Sequence, residues 1–402
     1  MSQTTGDRPV QAPRVAYVTR DLPHYRVPVV KAFADRGFVC EVVVAGRSRQ
    51  DFAKVGPRAA GDSGVRHVSP PRFGWRKDIL QFLDSSRPDA ILLEHGASLD
   101  FTWTVLLTRR LRGTPRVLWT HGIERRERFT NRPSLASLGR WWQLRLADGI
   151  LCYDSNTADQ LGRSFPKKPV GFAPNSIEGD ALTLGLQQLT RDGREAARRQ
   201  LGLEREHYLL TLGRLVPEKE FHRIVPVLEN IRAAGIDAGA IVVGAGPELE
   251  RVKSLANSRG LRLGKDVILT GGISDPSHLA RWLYCADICI QPGALGLAVV
   301  DCLFGGVPTV AVRPGPRGPF HGPEWTYIEH GYNGWIVEEN TDLALARVAT
   351  SYLNETSERR MQVRESCMSY AKANLGVGRM VDGILRMLQG TAAKLGRQVL
   401  YP

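Results

Sequence analysis

Two cations stand a few residues apart in the second half of the chain, in Gly213-Arg214-Leu215-Val216-Pro217-Glu218-Lys219, directly after the apolar run Tyr208–Leu212. An arginine offers a planar fork of donors and a lysine a compact point charge, so the pair can meet a single diphosphate. Three glycine-rich turns follow, each after another apolar run. They are Gly244-Ala245-Gly246-Pro247-Glu248, Gly271-Gly272-Ile273 and Gly293-Ala294-Leu295-Gly296-Leu297. Glycine permits a tight turn and close backbone approach. A helix starting at Gly296–Leu297 presents free amides and the positive end of its dipole to a phosphate. Asp301 lies about one turn further on, where a carboxylate can accept both hydroxyls of a ribose, and Gly305-Gly306-Val307-Pro308 closes the unit. Taken singly, these pieces have plainer explanations. A basic loop is usually a solvated one, and the Gly244–Glu248 turn lacks the third glycine of a dinucleotide fingerprint. In this order they describe a nucleotide-diphosphate site.

Such a site needs strands to carry it. Short Val/Ile/Leu-rich runs recur at Val15–Thr19, Val39–Ala45, Ala90–Leu93, Arg116–Thr120, Gly149–Tyr153 and Val170–Ala173. They recur again at Tyr208–Leu212, Ala240–Val243, Val267–Thr270, Asp287–Gln291, Thr309–Val312 and Trp335–Val337. Runs without period-two alternation suit strands buried on both faces of a parallel sheet. Between them, segments such as Pro247–Arg259 and Ser277–Cys285 carry helical spacing, which predicts a doubly wound α/β architecture. No strong strand lies between Asn175 and about Gly202, and Asp192–Leu203 reads as a charged helix. The expected organisation is a loose tail over 1–13, a domain over 14–177 and a hinge with a helix over 178–204. A second domain over 205–374, a helix over 375–390 and a tail over 391–402 complete it.

The composition narrows the class. The chain has 402 residues, 43% of them hydrophobic, which suits two soluble domains and excludes collagen-like, disordered and disulfide-stapled chains. No apolar stretch approaches the roughly 18 residues of a spanning helix, and Met1–Pro13 lacks the apolar core of a secretory signal. Six scattered cysteines form no CxxC pair and read as reduced core residues, so the expected compartment is the cytoplasm. The net charge of +13 points to a polyanionic partner: nucleic acid, an anionic membrane face or a phosphorylated substrate. No nucleic-acid module accompanies it. Arg125, Arg126, Arg128, Arg132, Arg140 and Arg145 cluster around Trp141 and Trp142, a mixture that suits an anionic headgroup layer, unless the tryptophans are core residues of their helix. No His/Asp/Glu grouping has metal-ligand spacing. A nicotinamide oxidoreductase would require a full GxGxxG after the first strand, which is absent.

The ordered set GRLxxxK, VxGxGPE, TGGI, PGxxGLxxxD and GGVP resembles the C-terminal half of retaining GT-B glycosyltransferases of family 4. Gly322-Pro323-Glu324-Trp325, Gly331-Tyr332-Asn333-Gly334-Trp335 and Ala173-Pro174-Asn175-Ser176 fit the same pattern. The first half is similar through Tyr25-Arg26-Val27-Pro28, Thr120-His121-Gly122 and Ala147-Asp148-Gly149-Ile150. The resemblance implies two Rossmann-like domains facing a central cleft and transfer of a sugar from a UDP- or GDP-linked donor, without a metal. The acceptor it implies is a glycan or lipid-linked saccharide. It makes His121, Arg214 and Lys219 catalytic, with His121 facing the transferred sugar. It places Gly213, Gly246, Gly271, Ile273, Gly293, Gly296, Leu297 and Asp301 around the donor. Tyr25, Arg26 and Glu94 fall on the acceptor side. Gly293 departs from the pattern, standing where the family has the first Glu of a two-Glu motif. Sugar recognition then falls to backbone amides of Gly293–Leu297 or to Glu324. A non-catalytic nucleotide-sugar binder, or a transferase acting on a soluble acceptor, is the alternative.

Overall fold

The computed structural model describes residues 12–45, 75–96, 99–108, 111, 113–122 and 135–397. These fall into two compact units. One comprises 12–122, 135–174 and 377–397, and the other 175–376.

The first unit holds a parallel sheet of β1 (Arg14–Thr19), β2 (Val39–Val44), β3 (Ala90–Glu94), β4 (Arg116–Thr120), β5 (Gly149–Cys152) and β6 (Val170–Phe172), in the order β2-β1-β3-β4-β5-β6. Successive residues of β1 enter different cores, which explains the continuous apolar run. Val15 and Tyr17 pack with α1 (Val27–Ala34) and the C-terminal helix α14 (Val377–Lys394), whose Met380, Ile384 and Leu388 are fully buried. Ala16 and Val18 pack with α2 (Trp75–Ser86), α3 (Asp100–Leu107), α4 (Leu135–Leu146) and α5 (Ser155–Ser164). Burying a side chain such as Leu388 contributes about 1.5–3 kcal/mol relative to exposure, which holds the C-terminal helix on this sheet.

The second unit repeats the design with β7 (His207–Leu212), β8 (Ala238–Val243), β9 (Val267–Gly271), β10 (Ile288–Gln291), β11 (Thr309–Val312) and β12 (Gly334–Val337). The order is β12-β11-β10-β7-β8-β9, again parallel throughout. One face carries α8 (Ile224–Ala233), α9 (Leu249–Ser258) and α12 (Asp342–Leu353). The other carries α6 (Gly179–Asp192), α7 (Arg194–Gln200), α10 (Pro276–Cys285) and α11 (Ala298–Phe304), and α13 (Ser357–Asn374) packs beside α11.

Each of the twelve apolar runs is a strand. The stretch 178–204, expected as a hinge, differs. Its helices α6 and α7 are part of the second unit, because Leu182, Leu186 and Ala197 are buried against that sheet's core. The C-terminal helix runs to Lys394, four residues into the expected tail.

Candidate active site

Strands β7 and β10 are neighbours whose following connections leave toward opposite sides of the sheet, and ligands of open α/β sheets bind at such a switch point, outside the carboxyl ends. The cationic loop leaves β7 here and the Gly293–Leu297 loop leaves β10. Gly213 has φ +140, which only glycine adopts readily. Lys219 ends a short 3-10 turn, Pro217–Lys219, and its half-buried side chain bridges the two loops. A Cβ on Gly213 would lie 3.9 Å from Lys219 Cε, and one on Gly296 would lie 3.6 Å from Lys219 Nζ. Both distances are ordinary van der Waals contacts, so the lysine side chain passes close to both glycines. Arg214 is exposed, and its side chain makes no hydrogen bond or ion pair among the described residues.

Gly293 is explained by packing. A Cβ there would come within 2.5 Å of the carbonyl of Glu218 and 2.6 Å of that of Lys219. Ala294 N–H donates to the Glu218 carbonyl at 2.7 Å. The lysine-bearing turn therefore presses on the backbone where the family's glutamate side chain would begin. The far side of the same loop is held by His321. Leu295 N–H donates to His321 Nδ1 at 2.9 Å, Gly322 N–H donates to the Leu295 carbonyl at 2.8 Å, and His321 Nε2 lies 2.7 Å from the Val312 carbonyl. A carbonyl only accepts, so Nε2 carries the proton. His321 immediately precedes the Gly322–Trp325 motif, and no local sequence signal marks it. Arg223, also missed, ties the loop from behind: it bonds the Pro292 carbonyl at 3.3 Å and Asp342 at 2.6 Å.

The Gly244–Glu248 turn packs closely on the cationic loop. The space a Gly246 side chain would fill holds the Leu215 backbone, and Gly244 sits likewise against the Gly213 carbonyl. Leu215 N–H donates to Ala245 at 2.9 Å and Glu248 N–H to Leu215 at 3.0 Å. The close approach is made by the cationic loop, which this turn buttresses. Gly271, at the end of β9 with φ +75, faces open space, and Ile273 is half-buried against the α6 and α10 side.

Asp301 lies in the first turn of α11, half-buried, and its carboxylate makes no hydrogen bond or ion pair among the described residues. Burial alone pushes its carboxyl up to about 7. It is an open acceptor. Leu297 packs with the α11 and α13 core. Glu324, buried in the Pro323–Tyr327 turn, accepts a hydrogen bond from Asn175, so two motifs distant in sequence meet there. Among the described residues no three His, Cys, Asp or Glu side chains gather to hold a metal ion.

In the first unit, Glu94 ends β3 at the switch point beside β1. Its Oε2 accepts the Thr19 hydroxyl at 2.8 Å and Arg20 N–H at 2.7 Å, so it shapes the loop after β1. Arg26 is buried, its guanidinium 4.6 Å from the Trp119 ring and 5.4 Å from those of Tyr25 and Tyr153. It braces an aromatic stack and presents little charge to solvent. His121, exposed after β4, stacks on Tyr153 with centroids 4.2 Å apart. Trp141 and Trp142 are 43% and 46% exposed, on the surface of α4 and outside the core. Arg125, Arg126, Arg128 and Arg132 lie outside the described residues.

The chain matches glycosyl transferases group 1 over residues 193–372 and glycosyltransferase family 4 over residues 28–180. A GDP-mannose-dependent alpha-(1-6)-phosphatidylinositol monomannoside mannosyltransferase of Mycobacterium tuberculosis is 28% identical over 297 residues, 70% of this chain and 71% of that protein. A D-inositol 3-phosphate glycosyltransferase of Thermomonospora curvata is 25% identical, over 65% of this chain and 61% of that one. Among solved structures, HepE of Anabaena in complex with UDP superposes with TM-score 0.69 at 16% identity, covering 94% of this chain and all of that one. Fold and motifs agree: the chain belongs to the group 1 glycosyltransferases of GT-B fold, enzymes of nucleotide-sugar transfer.

Proposed function

We propose that this enzyme moves a sugar from a GDP- or UDP-linked donor to an acceptor hydroxyl with retention at the anomeric carbon, and that it needs no metal. The observation that carries the reading is Lys219, spanning the switch point between Gly213 and Gly296, with Arg214 beside it and the open carboxylate of Asp301 one turn along. As the bond from anomeric carbon to phosphate oxygen breaks, negative charge grows on the diphosphate. Lys219 and Arg214 are placed to stabilise it, and a preorganised donor of this kind contributes about 3–4 kcal/mol. A leaving-phosphate oxygen takes the acceptor proton, and the new bond forms on the face the phosphate leaves. Asp301 accepts the ribose hydroxyls. His121 is assigned to the transferred sugar by the family pattern. With no side chain at position 293, the sugar is assigned to the backbone amides of Gly296 and Leu297, since those of Ala294 and Leu295 are taken by Glu218 and His321, together with Glu324.

The acceptor in this reading is a lipid-linked or polysaccharide saccharide at the cytoplasmic face of an anionic membrane. On α4, Leu135, Leu138, Trp141, Trp142 and Arg145 are exposed while Gln143 and Leu144 are buried, an arrangement that suits the headgroup layer. The test is a thermal-shift and transfer panel of nucleotide sugars, starting with GDP-mannose because the mycobacterial relative uses it, in buffer with and without EDTA. Transfer that survives chelation and yields the donor's anomeric configuration supports the reading. Inverted product, or metal-reversible loss in EDTA, overturns it. Sedimentation with phosphatidylglycerol vesicles at low salt tests the membrane: absence of pelleting removes it and leaves the transferase standing.

A further inference from the structure

The turn that carries His121 is built into a hydrogen-bonded chain that the transferase reading does not use. Thr120 Oγ1 lies 2.6 Å from His95 Nδ1, and Gly122 N–H donates to the same oxygen at 2.8 Å. His95 Nε2 lies 3.1 Å from the Arg140 carbonyl of α4. These contacts have one consistent polarity. The Arg140 carbonyl accepts, so Nε2 bears the proton; Nδ1 then accepts, so the Thr120 hydroxyl donates to it; the hydroxyl oxygen is left to accept from Gly122. The anchor is itself fixed, because Gln143, fully buried on α4, bonds both the N–H of Gly96 at 3.3 Å and its carbonyl at 3.0 Å. On the other side Gly122, with φ +78, has Thr157 Cγ2 2.5 Å from where a Cβ would stand. Thr157 is in turn held by Asp154 at 2.7 and 2.8 Å.

We infer that His95 and Thr120 are positioning residues for His121. They fix the backbone on both sides of it, while Tyr153 fixes its ring. A chain of this polarity works only with a neutral His95, and burial pushes that imidazole down to about 4, so it stays neutral throughout the working range. Hydrogen bonds and packing hold the residues on either side of His121, and its exposed ring lies against Tyr153.

The inference rests on the role proposed for His121, and the experiment separates the two. Thr120→Val keeps the shape of the strand end and removes both hydrogen bonds, and Thr120→Ser restores the hydroxyl. The readouts are kcat and KM for the nucleotide sugar, GDP affinity by calorimetry, and the side-chain 15N shifts of His121, assigned by its absence in His121→Ala. Thr120→Val should move the His121 signals and lower kcat about 10- to 100-fold, the scale of a displacement near 1 Å, with GDP affinity unchanged. Thr120→Ser should recover both. Unchanged His121 signals in Thr120→Val overturn the positioning role. If wild-type protein turns over no donor, the transferase reading fails, while the His121 spectrum still decides this inference.

Discussion

Two carboxylates at the amino edge of the second sheet and Asp301 at its carboxyl edge are treated in opposite ways. At the amino edge, Asp287 is bonded by Arg194 and Arg198, both at 2.8 Å, and by Tyr208 N–H. Asp266 is ringed by Arg205, Arg232 and Arg262 at 2.6–3.0 Å. Burial alone would raise both carboxyls. The arginines and hydrogen bonds outweigh it and hold each well below the usual carboxylate range. On the side of the carboxyl ends, half-buried Asp301 has no such partner for its carboxyl, which burial raises to about 7. Arg214, on that side too, is exposed and unbonded among the described residues. The amino-edge pair is complete in the free protein. At the open edge the side chains of Asp301 and Arg214 have no such partner among the described residues, and in the function proposed above the nucleotide sugar supplies one.

The largest expected effect comes from removing the cation at the open edge. Lys219→Ala should lower turnover 10²- to 10³-fold, about 3–4 kcal/mol in the transition state, with melting temperature nearly unchanged. Steady-state kinetics beside a thermal scan check this, and a variant that turns over normally removes Lys219 from the clamp. At the closed edge the pattern should reverse. Asp287→Asn leaves two arginines facing a neutral group and should cost about 3 kcal/mol of stability, while nucleotide affinity of the folded protein stays as it was. Because the folded pKa values of Asp287 and Asp266 are depressed, their stabilisation is present above about pH 4 and fades as pH falls below it. Urea titrations between pH 3 and pH 7 should show that slope, and it should be shallower in Asp287→Asn.

Asp301→Asn sharpens the contrast because the two consequences have opposite signs. A carboxyl raised to about 7 favours the neutral form in the folded state, so it lowers stability progressively as pH rises from about 4 to 7. The amide removes that penalty, and the variant should melt higher than wild type at pH 8 and equally at pH 4. It should also bind GDP or UDP about 10- to 100-fold more weakly, the loss of hydrogen bonds to a charged acceptor. In wild type, nucleotide affinity should climb through pH 7 as Asp301 ionises. Calorimetry on the variant should lack that component of the pH dependence, and an unchanged affinity would take Asp301 out of the site.

The smallest effect belongs to Glu220, which follows Lys219 with φ +52, a left-handed conformation that side chains resist. Glu220→Gly relieves about 1 kcal/mol of strain and loses a partly exposed ion pair to Arg223, worth about 0.5 kcal/mol. The net gain in stability should be under 1 kcal/mol by urea titration, and a clear loss would show that the ion pair dominates the strain.

The sequence by itself determined the strands and the order of the motifs. A strand buried on both faces must be apolar at every position, so Val15–Thr19 and Tyr208–Leu212 announce themselves locally, and Arg214, Lys219 and Asp301 were legible because each follows such a strand at short range. Contacts between segments far apart in the chain belong to the tertiary structure alone. Only packing shows that Gly246 makes room for Leu215, that Gly293 makes room for the Lys219 turn, and that helices over 179–200 complete a core where a hinge was expected. The same holds for His321 holding Leu295, His95 holding Thr120, and the arginines around Asp287, drawn from positions about 90 residues away. Periodicity and turn chemistry are properties of neighbours along the chain. Which backbone a glycine lets through, and which charge finds a partner, depends on the register of strands and helices that only the folded sheet brings together.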